Sequence, residues 1–193
     1  MKSKADSIIT AATTLFTLYG YNAPSIDKIC EAAKVSKMTF YRHFNDKDQL
    51  IDEVLSKKRY QFIDAIKHIS ASSPTTRSKL LNIFNYYENW FKDEDFNGCL
   101  FSRALFETGY TNTKVQQINQ TFRSEMLEQL CLILSDILKP EAAERISTMI
   151  MMLIDGAIIA QASNNSYTQE YPPAITAWQA TKVLIYSEGG QLD

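Results

Sequence analysis

Cysteine is scarce in this chain of 193 residues, and Cys30, Cys99 and Cys131 lie too far apart to make a CxxC pair. An odd, scattered set argues against a disulfide scaffold or a zinc site and for a reducing compartment. Histidine is scarcer still, with only His43 and His68. There is no Ser/His/Asp arrangement, metal-ligand spacing or phosphate loop, so no catalytic residue, metal or cofactor is assigned. Six glycines and five prolines leave long uninterrupted stretches, which favours helices over many strands. The most apolar run, residues 149–162, is too short to span a bilayer and contains Asp155. The opening residues, with Lys4 and Asp6, carry no apolar signal region. The expectation is a soluble, cytoplasmic protein with no membrane partner.

Net charge is −2, which alone speaks against a nucleic-acid partner, but the charges are unevenly spread. Residues 1–60 hold ten Lys/Arg against seven Asp/Glu, and the remainder holds ten against fifteen. A slightly basic head on an acidic body fits a DNA-binding domain attached to something else.

Residues 25–50 organise the chain. Ser25 is suited to cap a helix whose Ile26, Ile29, Cys30 and Ala33 form one buried stripe, with Asp27 at the positive end of its dipole. Lys34 and Val35 form a turn, and Ser36 caps a second short helix. At about 100° per residue, Phe40 and Phe44 share the core face of that helix. Met38, Thr39, Arg42 and His43 fall on the opposite face, flanked by Lys37 and Tyr41. Arg can bond guanine bidentately and Thr can offer its hydroxyl and methyl, while Lys and Tyr reach phosphates. Asp46 and Gln49 make a capping box for a further helix, with Lys47 in its first turn. Ser25, Lys37, Met38, Thr39, Tyr41, Arg42, His43 and Lys47 are the candidate DNA contacts.

The run Gly20-Tyr21, Ser25-Ile26, Ala32-Ala33-Lys34-Val35-Ser36-Lys37-Met38-Thr39-Phe40-Tyr41-Arg42-His43-Phe44 and Lys47 resembles the DNA-binding domain of the TetR family of bacterial transcriptional regulators. Two positions depart from the common pattern. Lys34 stands where glycine often makes the turn, and a left-handed non-glycine residue costs on the order of 1 kcal/mol. Met38 replaces a frequent glycine and puts bulk beside the DNA.

The rest of the chain reads as helices, for an all-α fold of about nine. The first spans residues 3–19, with Ile8, Ile9, Ala12, Leu15, Phe16 and Tyr19 on its buried face. Later helices are expected near 46–69, 76–91, 99–108, 112–138 and 140–162, with a polar loop at 163–168 and a last helix after Pro173. The expected division is a three-helix head at 1–48 and a ligand-binding and dimerisation domain at 49–193. Helix 8 is apolar nearly all round, more than a surface helix needs. Its Gly156, Ala157 and Ala160, with Ala174, Ala177 and Ala180 on the last helix, would admit a close symmetric partner, giving a homodimer through residues 141–188. The resemblance implies the same dimer, a near-palindromic double-stranded operator, and a body that encloses a small-molecule effector.

Tyr87, Trp90, Phe91, Phe101, Phe106, Tyr110, Phe122, Met126, Met151 and Met152 are candidates to line an apolar ligand cavity. Asp155, alone in an apolar helix, should face solvent, pair with a cation or touch a polar ligand group. Arg103 and Glu107 read as a surface pair. A ligand-released repressor is the leading reading. An all-α small-molecule-binding protein and a DNA-binding protein without ligand response are the alternatives.

Overall fold

A computed structural model describes residues 3–163 and 167–193. Ten helices and no strand occur among them: α1 Lys4–Tyr19, α2 Ile26–Ala33, α3 Lys37–His43, α4 Lys47–Ser72, α5 Thr76–Phe91, α6 Leu100–Thr108, α7 Thr113–Leu134, α8 Pro140–Ala162, α9 Tyr167–Glu170 and α10 Pro173–Ser187. The all-α reading holds. The added element is α9, a single turn that falls in the stretch read as a polar loop; residues 164–166 of that stretch lie outside the described residues. Helix α7 ends at Leu134, earlier than its apolar spacing suggests, and residues 135–137 continue as turns.

The chain forms two compact units, the first made of residues 1–61 and 99–121 and the second of 62–98 and 122–193. In the first, α1, α2 and α3 pack together. Their caps follow the sequence. Ser3 accepts from the Asp6 N–H at 3.0 Å, Ser25 from Lys28 at 3.3 Å and Ser36 from Thr39 at 3.1 Å. Lys34 ends α2 in the left-handed region at φ 54°, and the following Val35 N–H reaches back to the Cys30 carbonyl at 3.0 Å. At the head of α4 the Asp46 carboxylate accepts from Gln49 N–H, while the Gln49 side chain accepts from Asn45, one residue before the expected partner. Ile8, Ala12, Phe16, Tyr21, Ile29, Phe40, Phe44 and Leu50 form the core. Burying the isoleucine, leucine and phenylalanine side chains among these stabilises by roughly 1.5–3 kcal/mol each. Tyr19, expected on the buried face of α1, is instead exposed, with Lys28 Nζ 5.7 Å from its ring centre. Its position at the last turn of α1 carries it past the core.

The second unit is built on aromatic packing. The Phe62 ring lies 5.2–5.6 Å from Tyr86, Tyr87 and Phe122. Trp90, Phe91 and Phe96 extend the cluster. Helices α8 and α10 pack on each other, and α10 also packs on α5. Ala157, Ala174 and Ala177 are buried in this unit's core, whereas Gly156 is exposed and a methyl group there would meet nothing within 4 Å among the described residues.

Candidate nucleic-acid interface

Helix α3 is anchored from beneath by Phe40, fully buried, and Phe44, whose rings lie 5.6 Å apart. Ser25, Lys37, Met38, Tyr41, Arg42 and His43 are exposed, and Met38 presents 84% of its surface to solvent. A short helix with two aromatic anchors and a projecting guanidinium, imidazole and phenol has the shape that a DNA major groove admits.

Besides Ser25, which caps α2, three of the expected contacts already have partners. The Thr39 hydroxyl lies 3.0 Å from that of Ser36, and Thr39 is half-buried. Lys37 Nζ pairs with Asp27 at 2.7 Å. Lys47 is half-buried and donates to the Asn22 carbonyl at 3.2 Å. Burial holds its ammonium below the ordinary lysine range, against the opposing pull of Asp48 and Glu107.

The corner between α1 and α2 is held by a group that sequence reasoning missed. Arg103 and Glu107, read as a surface pair, are half-buried and joined at 2.7 Å. Glu107 Oε2 accepts the backbone N–H groups of Tyr21 at 2.8 Å and Asn22 at 3.1 Å. Arg103 donates to the Thr17 carbonyl at 3.1 Å. The buried Tyr21 hydroxyl donates to the Leu100 carbonyl at 3.1 Å, and burial pushes its phenol well above the ordinary range. Burial raises the Glu107 carboxyl, but Arg103 and the two amides outweigh it and hold the group below the usual glutamate range. Gly20, at φ +79°, makes the close approach possible, since a Cβ there would run into the Glu107 carboxylate. The i, i+4 spacing of Arg103 and Glu107 was visible, but nothing local shows that both reach a corner some 85 residues earlier.

The residues proposed for ligand contact divide. Tyr87, Phe91, Phe122, Met126 and Met151 are buried in the second unit and Trp90 half-buried there, while Phe101 is buried in the first. Phe106, Tyr110 and Met152 are exposed, Phe106 by 77%, and so do not line an interior. Apolar character alone did not tell which way they point. Asp155 pairs with Arg123 at 2.8 Å, the cation-paired alternative for its charge.

These features define a helix-turn-helix unit in a chain whose described residues form helices and no strand. Residues 8–54 match the sequence model of the bacterial regulatory proteins, tetR family. The TetC protein of transposon Tn10 from Escherichia coli is 37% identical over 98 residues, covering 50% of this chain and 48% of TetC. The HTH-type transcriptional regulator YuxN from Bacillus subtilis is 35% identical over 132 residues, covering 66% of this chain and 43% of YuxN. These matches span about half the length of each relative. A TetR-family transcriptional regulator from Streptomyces coelicolor has the same fold, with a TM-score of 0.87 at 22% identity over 97% of both chains. Residues 8–54 are thus a DNA-binding domain of the tetR-family type.

Proposed function

We propose that this protein is a homodimeric repressor that binds a near-palindromic operator through α3 and is released by a small hydrophobic effector. It acts in the cytoplasm as a regulator and not as an enzyme. The observation that carries the reading is the outward face of α3, where Met38, Tyr41, Arg42 and His43 are exposed above two buried phenylalanines. Functionally, residues 1–48 read DNA, and 49–193 bind the effector and the second subunit.

The dimer is supported by an exposed apolar stripe. Met149, Met152 and Ile159 on α8 and Val183 and Tyr186 on α10 face solvent, with Met152 and Ile159 66% and 67% exposed. Gly156 lies within the same stripe and leaves room for close approach. A twofold dimer would set two copies of α3 about 34 Å apart, one turn of duplex. The effector reading is supported by the soft aromatic wall formed by Tyr87, Trp90, Phe91 and Phe122, together with Met126 and Met151. Asp155, beside Arg123, supplies a polar handle.

Selection of bound sequences from a random duplex pool tests the core of this proposal. An inverted repeat is expected, with affinity falling steeply with salt. A reporter gene placed behind that operator should be silenced by the protein. Met152→Asp should give a monomer that loses the inverted repeat. Recovery of a single half-site by the wild type would sink the dimer.

A further inference from the structure

The family's DNA-binding match ends at residue 54, yet residues 99–121 belong to the same compact unit as the head. The contacts there are specific. Three backbone groups at the α1–α2 corner are taken up by α6: the Thr17 carbonyl by Arg103, and the Tyr21 and Asn22 amides by Glu107. The Tyr21 hydroxyl reaches the first residue of α6. Asn22 is held from both sides, its N–H by Glu107 and its C=O by Lys47. A carboxylate that accepts two backbone N–H groups and is itself fixed by a guanidinium has one geometry available, since charge-assisted bonds are short and directional. Gly20 completes the fit, because any side chain there would collide with both Arg103 and Glu107.

From this geometry we infer that Arg103 and Glu107 are positioning residues for DNA binding: they brace the α1–α2 corner, and through Asn22 they set where Lys47 and the head present themselves to the duplex. The inference rests on the reading that α3 meets DNA. Neither side chain touches DNA itself. Ordering the corner before binding removes a cost that would otherwise be met on the operator, where all contacts must be made at once. Non-specific binding, which is electrostatic and tolerant of orientation, draws less on that order.

The variant Glu107→Gln separates this from a role in folding alone. Glutamine has nearly the same shape but only one acceptor oxygen. Used on the Tyr21 and Asn22 amides, that oxygen leaves an NH2 facing the Arg103 donor. The full-length protein should keep its helicity and oligomeric state. Hydrogen exchange at the Tyr21 and Asn22 amides should speed up about tenfold or more. Affinity for the selected operator should fall about tenfold, with affinity for an unrelated duplex falling less than threefold. Arg103→Lys, which can replace only one of the two arginine bonds, should shift both measurements in the same direction and to a lesser extent. It decides the matter if Glu107→Gln does not fold. Faster exchange with an unchanged ratio of operator to unrelated affinity would overturn the proposal, as would unchanged exchange at both amides. Failure of the wild type to select any operator would instead count against the reading of α3, and the exchange measurement would still report the brace.

Discussion

Lys37 Nζ lies 2.7 Å from Asp27 Oδ1, so the first residue of α3 is tied to the first turn of α2. Both side chains are more than half exposed, and Asp27 raises the Lys37 ammonium through a hydrogen bond and its charge. An exposed pair of this kind adds little to stability. If α3 meets DNA as proposed, the pair competes with phosphate for the same ammonium. Asp27→Asn should therefore tighten binding to all duplexes about two- to fivefold and steepen the salt slope by about one. Titrations of operator and unrelated DNA at several salt concentrations read both numbers. An unchanged slope would mean that Lys37 does not reach a phosphate.

Lys34 sits in the left-handed region at φ 54°, ψ 48°. A side chain there costs on the order of 1 kcal/mol that glycine does not incur. Its N–H and that of Val35 already close the end of α2 onto Glu31 and Cys30. Lys34→Gly should keep those bonds and stabilise the protein by about 0.5–1 kcal/mol, measured as a higher urea midpoint with the slope unchanged. A lower midpoint would show that the lysine stem contributes packing that outweighs its strain.

Glu88 is buried on α5, and its Oε2 is shut off from solvent without a hydrogen-bond partner among the described residues; Oε1 is 4.0 Å from the mostly exposed Lys92 Nζ. A buried carboxylate oxygen left unmatched is costly, and an apolar side chain of similar size avoids that cost. Glu88→Leu should raise stability by about 1–2 kcal/mol in the same denaturation assay. A loss of stability would show that the carboxylate is matched in solution.

Glu107 ties the pH response of the fold to the brace. Its carboxyl lies below the ordinary value of 4.5 in the folded chain. Between the folded value and 4.5, the unfolded chain binds more protons, so stability rises with pH across that window. The contribution is complete above 4.5 and is lost as pH falls through the folded value. Burial pushes Asp52 the other way, so wild type must be compared with Glu107→Gln to isolate the effect. The variant should show a flatter acid limb when unfolding midpoints are measured from pH 3 to 6. Parallel limbs would contradict the assignment.

How much could be read in advance depended on range. Ser25, Ser36 and Asp46 cap the helices that their positions indicate, and Phe40 and Phe44 are buried as the 100° step requires. All of these are set by neighbours within one turn. The left-handed Lys34 was legible for the same reason. Partners across the fold were not. Thr39, Lys37 and Lys47 carry the residue types that DNA contact needs, yet the fold engages each with Ser36, Asp27 or Asn22. Phe106 looks like core by composition, but α6 turns its other side, Phe101 and Ala104, inward, and Tyr110 lies in the turn beyond its end. The alanines of α8 and α10 were expected at a partner's surface. Ala157, Ala174 and Ala177 are instead used within the chain, and larger apolar side chains form the outward stripe.

The discontinuity of the first compact unit bears on how the protein can be cut and rejoined. A chimera that grafts only the first 61 residues onto another body would carry Tyr21 and Asn22 without the carboxylate that receives their amides. The transplantable module is two stretches, 1–61 and 99–121, which must travel together or be rebuilt by an equivalent acid and base on the recipient.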